Sequence, residues 1–107
     1  MPNPWRGEVA LEIDGQRHVM RLTLGALAEL EAMLEDGTLL DLVRRFESGN
    51  CSTRDVLALI VAGLRGGGWP GTAQDLVSAE IGGGPLLAAR AAAELLAHAF
   101  ALPGETG

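Results

Sequence analysis

His18, His98 and Cys51 supply the imidazoles and the single thiol of this chain. From such side chains a zinc site or an activated nucleophile would be built. A zinc site needs three or four such ligands at short spacings, and the two histidines lie far apart with no second His or Cys at ligand spacing. His18 falls on the inward face of a predicted strand. His98 falls near the end of a predicted helix, where a partly charged imidazole suits the helix dipole. A thiolate at Cys51 would need an activating neighbour, and a structural role at a helix start already accounts for it. Glu29 and Glu31 stand two apart on a predicted helix, so they point to different sides and make no carboxylate pair for acid–base work. The residues therefore predict no catalytic or metal site, no cofactor and no enzyme.

Gly66-x-Gly68-x-x-Gly71 matches the dinucleotide-binding fingerprint letter for letter. That fingerprint works after a strand and at the opening of a helix, where backbone amides meet a pyrophosphate. Here it follows a predicted helix, no βαβ unit can be assembled around it, and no Gly-Lys-Ser/Thr follows. An interhelical loop is the reading.

The 107 residues carry a net charge of −6, all eight basic residues are Arg, and the acids Glu29, Glu31, Glu35, Asp36 and Asp41 run without a basic residue among them. Phosphate neutralisation dominates nucleic-acid affinity, so this balance argues against DNA or RNA as partner. The apolar runs break well before the ~18 residues of a membrane span, and Met1 to Trp5 lacks the basic and apolar regions of a secretory signal. A cytoplasmic location and no membrane partner are the expectation. One cysteine excludes an internal disulfide.

The elements behind these residues are legible. Asp14-Gly15 favours a two-residue type I′ turn, because both central positions need positive φ. Closing a hairpin there, over about 6–22, pairs Glu12 with Arg17, Ala10 with Val19 and Glu8 with Arg21 on one face. Val9, Leu11, Ile13, His18, Met20 and Leu22 fall on the other. A two-stranded hairpin must lie on other elements to be stable, and its edges can accept an extended peptide.

Helices should occupy about 23–101. The first begins near Thr23, carries Leu24, Leu27, Leu30 and Leu34 along one side, and ends at Asp36-Gly37. Thr38 and Asp41 start a second that presents Leu39, Leu42, Val43 and Phe46 and stops at Ser48-Gly49-Asn50. Ser52 and Asp55 form a capping box, with Cys51 and Val56 as its hydrophobic staple. The helix from Thr53 to about Arg65 carries Val56, Leu57, Leu59, Ile60, Val61 and Leu64, more than one narrow stripe, and is expected to be the most buried. Gly63 inside it costs about 1 kcal/mol against Ala unless close packing compensates. Thr72 and Asp75 start a fourth helix running to about Ile81. Pro85 suits the first turn of a fifth that reaches about Ala101, with Leu86, Leu87, Leu95, Leu96 and Phe100 as larger contacts beside an Ala-rich middle that lets another helix approach. Residues 102–107 read as a frayed tail. The expectation is an α+β fold, an N-terminal β-hairpin packed on four or five short α-helices, forming one domain over 1–107.

Arg6-Gly7-Glu8-Val9-Ala10-Leu11-x-x-Asp14-Gly15 followed by Leu22-Thr23-Leu24-Gly25-Ala26-Leu27-Ala28-Glu29-Leu30-Glu31 resembles the small proteins encoded among the tail genes of gene transfer agents and related prophages. Arg54-Asp55-Val56-Leu57, Gly63-Leu64-Arg65-Gly66-Gly67 and Ala88-Ala89-Arg90-Ala91-Ala92-Ala93-Glu94-Leu95-Leu96 continue the likeness in the same order. The family is described as tail-assembly-chaperone-like, and also as a tail tube component. The resemblance implies a non-enzymatic protein of phage-like tail assembly. Its main expected role is a chaperone that holds the helical tape-measure protein soluble in the cytoplasm; the alternative is a minor structural component of the tail or tail tube. Other tail proteins are the implied partners, and a homo-oligomer is allowed. Leu27, Leu30, Leu34, Leu95 and Phe100, on the first and last helices, are the expected partner-binding residues.

Overall fold

The computed structural model describes residues 7–34 and 38–100. In chain order the elements are β1 (Val9–Ile13), β2 (Gln16–Met20), α1 (Leu24–Met33), α2 (Leu39–Ser48), α3 (Thr53–Gly66), α4 (Ala73–Val77) and α5 (Gly84–Ala99). Among the described residues, a two-stranded antiparallel hairpin followed by five helices makes the fold α+β. Arg6, the Asp36-Gly37 helix stop, Ala101 and the 102–107 tail lie outside the described residues.

The turn chemistry fixes the hairpin. Asp14 and Gly15 both take positive φ (51° and 79°), as a type I′ turn requires. The resulting register pairs Val9 with Met20, Ala10 with Val19, Leu11 with His18 and Glu12 with Arg17. Side chains alternate across the pleat, so Val9, Leu11, Ile13 and Met20 are buried while Val19 and Arg17 face outward.

Caps set the helix starts. Thr23 Oγ1 accepts from the Ala26 N–H (3.1 Å). Thr38 and Asp41 make a capping box, as do Ser52 and Asp55, with bonds of 3.0 and 3.1 Å between each backbone N–H and the other's side chain. Gly49 ends α2 in the left-handed region (φ 77°), where a residue without Cβ carries no penalty.

α3 is the axis of the fold: Asp55 and all seven residues from Ala58 to Leu64 are buried. Gly63 permits this. A methyl group there would come within 2.7 Å of Leu95 Cδ1 and 3.1 Å of Met20 Cβ, and the Gly63 carbonyl accepts the Arg21 N–H at 2.9 Å. Hairpin, α3 and α5 thus converge on one glycine, and close packing offsets its low helix propensity. On α5 the buried residues are Ala88, Ala91, Ala92, Leu95 and Leu96. Their i, i+3, i+4, i+7, i+8 spacing is one helical face, made mostly of alanine so that α3 lies close.

Four expectations need correction. α4 ends at Val77, not near Ile81, because residues 80–82 are drawn out along β1. There Ile13 and Ile81 form a bridge, the Asp14 N–H donates to the Glu80 carbonyl (2.8 Å), and the Gly82 N–H donates to the Glu12 carbonyl (2.9 Å). That strap occupies the turn end of the β1 edge, and the Arg21–Gly63 bond occupies the far end of β2, so neither hairpin edge is open along its whole length. Leu24 is 85% exposed: the buried face of α1 is centred on Ala26 and Leu30, which leaves its first residue outside. Leu86 and Leu87 lie off the alanine stripe of α5 and are exposed.

Candidate functional site

The glycine loop is used by the fold. Gly66 is the last residue of α3 and Gly67 caps it. A Cβ on Gly66 would overlap the Arg21 carbonyl oxygen, and one on Gly67 would overlap that of Val19. These glycines bring the helix end under the strand backbone, which is a packing reason for their presence. Arg65 beside them donates through Nε to Glu29 (2.8 Å) and through Nη1 to the Gly71 carbonyl (3.0 Å). Half-exposed ion pairs of this kind contribute between zero and about 1 kcal/mol. His18 pairs with Leu11 in the hairpin, while His98 lies near Gly7 on the last turn of α5. Among the described residues no three His, Cys, Asp or Glu side chains gather as a metal-binding group.

What the fold leaves open is an apolar groove of about 890 Å³ at the opposite end of α3. One wall is the first half of α3, with Val56, Leu57 and Ile60. The second is α4 with Leu76 and Val77, and the third is the 79–85 segment and the first turns of α5, with Ile81, Pro85, Ala88 and Ala89. Among the described residues, Glu80 is the one charged residue in this lining. The groove exists for local reasons. The strap fastens residues 80–82 to the hairpin turn, with the Glu80 N–H donating to Asp14 Oδ1 (2.8 Å), and this holds the start of α5 away from α4. Ala88 and Ala89 then present side chains too short to fill the gap. Cys51 and Val56, the staple of α3, also line it. Val77, 69% exposed, stands on the lip. Burying a Val side chain is worth roughly 1.5–3 kcal/mol, and in this lining that gain is open chiefly to Val77, since Ile60, Leu76 and Ala88 are already buried.

The end of α3 that carries the groove is braced by a polar clamp. Arg45 at the end of α2 grips Asp55 in the first turn of α3 with two parallel bonds, Nε to Oδ2 and Nη2 to Oδ1, both 2.9 Å. Asp55 Oδ2 also accepts the Ser52 N–H. The Arg45 hydrogen bond, aided by the Ser52 N–H and opposed by burial, holds the Asp55 carboxyl below its ordinary value of 3.8. The same bond to Asp55 raises the Arg45 guanidinium above its already high value. Ser52 lines the groove on one side and the small Arg45–Asp55 recess on the other, so the clamp fixes the end of α3 on which the groove is built.

The expected contact residues are not gathered here. Leu30 and Leu95 are 0% and 1% exposed and belong to the core, so in this conformation they present no surface to a partner. Leu27 is half-buried on α1, Leu34 packs partly on the core near Arg45, and Phe100 is exposed beyond α5. None of the five lines the groove. The residues that do, Leu57, Leu76, Val77 and Ile81 among them, were readable only as helix stripes. Leu86 and Leu87, which fall outside the 88-91-92-95-96 stripe of α5, do not line the groove either.

Among the described residues, no helix is long and apolar enough to cross a membrane. The family model described as phage tail tube protein, GTA-gp10, matches residues 6–102. No curated protein and no solved structure matches the chain.

Proposed function

The chain belongs to the phage tail tube protein, GTA-gp10 family, and from that premise we propose that it is a structural component of a phage-like tail that acts by contact with other tail proteins. The observation that supports this is the unfilled aliphatic groove across α3, α4 and α5, a surface suited to a protein side-chain cluster and carrying, among the described residues, a single charged residue. In this reading the groove is the primary contact, and the solvent-accessible members of the expected set, Leu27, Leu34 and Phe100, contribute a secondary one. No bond is made or broken, and no cofactor takes part.

A second reading, a chaperone that shields the helical tape-measure protein during assembly, is favoured by one feature. The sheet has two strands of five residues each, whereas a tube wall is ordinarily formed from extended sheets. Mass spectrometry of purified particles separates the readings. A structural component is present in fixed ratio to the major tail proteins; a chaperone is abundant in producing cells and absent from finished particles.

A further inference from the structure

In the strap, local preference and tertiary structure disagree. Ser78, Ala79, Glu80 and Ile81 follow α4 directly, contain no glycine or proline, and are all tolerated in a helix interior. Yet α4 stops at Val77, and the chain beyond it lies along β1. Three hydrogen bonds hold it there. The Asp14 N–H donates to the Glu80 carbonyl (2.8 Å), the Gly82 N–H to the Glu12 carbonyl (2.9 Å) and the Glu80 N–H to Asp14 Oδ1 (2.8 Å). Glu12, Asp14 and Glu80 are exposed, so water competes for each of these bonds. Ile81 is the one large apolar side chain of the segment, and it is only half-buried. Behind it, Gly83 and Gly84 take φ of 82° and 74°, and with Gly82 they form a run of joints where the chain can change direction.

We propose that residues 78–82 are a two-state latch. In the strapped state they cover the turn end of the β1 edge and supply one wall of the groove. In the released state the three bonds to the hairpin break, Ser78 to Ile81 join α4 as a further helical turn, and the glycines absorb the change of direction. The Glu80 N–H then exchanges Asp14 Oδ1 for the Leu76 carbonyl, four residues earlier, and Ile81 comes one turn above Val77. Water takes over the Glu12 carbonyl and the Asp14 N–H. Packing of Ile81 favours the first state and local helix preference the second, which is the conflict a bistable element requires. The latch also couples two places. An occupant of the groove that touches Ile81 favours the strapped state, and an extended segment that pairs with β1 at Glu12 and Asp14 favours the released one. This goes beyond the structural reading of the tail protein, and its test needs the purified chain alone.

Nuclear magnetic resonance and thiol labelling provide that test. Gly82→Ala sets a methyl group 2.9 Å from Glu12 Cβ and favours a helix. Asp14→Gly keeps a turn residue suited to positive φ and removes the carboxylate that receives the Glu80 N–H, whereas Asp14→Asn keeps both. In the wild type, the Glu80 and Gly82 amides are expected to exchange with solvent at least tenfold faster than those of Ile60 and Val61 in α3, because the strap opens locally. Gly82→Ala and Asp14→Gly move the Cα and carbonyl shifts of 78–81 toward helical values. They also speed labelling of Cys51, the single thiol and a groove residue, severalfold. Asp14→Asn matches the wild type, and α3 amides stay protected in every variant. Strap amides that exchange no faster than those of α3 overturn the latch, since the strap then opens only with global unfolding. Extended shifts retained in both variants overturn it, as does release into irregular chain without helical shifts. An unchanged Cys51 rate overturns the coupling to the groove. Loss of α3 protection in both variants makes the strap part of the core and overturns the latch equally.

Discussion

The two ends of α3 are built from similar aliphatic residues and come out differently. At the C-terminal end, Gly63, Gly66 and Gly67 remove every side chain that would hold neighbours apart. The hairpin backbone settles directly against the helix, and Met20, Leu64 and Leu95 are sealed from water. At the N-terminal end, Val56 and Leu57 face a gap, because α4 is five residues long and the strap carries the chain away to the hairpin before α5 begins. Hydrophobicity alone thus does not decide what becomes core. Backbone approach decides it, and approach is set by where the glycines and the strap fall.

The largest effects are expected where the tight end is invaded. Leu30→Asp or Leu95→Asp places a charge among fully buried side chains and should cost about 4 kcal/mol or more, with loss of the folded circular-dichroism signal; a folded variant would show that these leucines can reach solvent. Gly66→Ala comes next. Propensity alone favours alanine by about 1 kcal/mol in a helix, but the new methyl overlaps the Arg21 carbonyl. A net destabilisation of about 2 kcal/mol is expected from overpacking, read from the urea midpoint. Stabilisation would mean that the hairpin does not press on the helix as described.

The clamp at the start of α3 gives an intermediate effect. Asp55→Ala removes both the bond to Arg45 and the return bond of the capping box, a loss of about 2 kcal/mol at neutral pH. The folded-state carboxyl titrates below its ordinary value of 3.8, so its stabilisation is complete above that value. It is lost as pH falls from there through the lowered folded value. Unfolding curves at successive pH values should therefore show wild type and variant converging in acid, and parallel curves would remove the clamp from the account of stability. Smallest of all, Val77→Ser on the open lip should change stability by no more than about 0.5 kcal/mol. A thermal shift comparable to that of Gly66→Ala would mean that the groove is closed in solution.

How much of this could be read from the residues divides along the same line. Asp14-Gly15 fixed the hairpin register, and Thr23, Thr38, Ser52 and Thr72 each marked a helix start, because those signals are local and act through the backbone nearest to them. The strap was hidden. Ala79 to Ile81 continues a helical pattern, and bonds to Asp14 and Glu12, more than sixty residues earlier, draw residues 80–82 into an extended form. With the strap unseen, the groove could not be located, and the expected contact residues fall on α1 and α5 stripes. Those stripes combine core positions such as Leu30 with exposed ones such as Phe100. Arg45 gave no local signal either, since its partner lies one helix further on.

Photo-crosslinking inside assembled particles addresses the central proposal most directly. With a photoreactive amino acid at position 77, on the groove lip, adducts to tail-particle proteins are expected in purified particles, while the same probe at the exposed position 31 on α1 gives few. Particles that contain the chain but yield equal adducts at both positions, or none at 77, would contradict a tail protein that works through this groove.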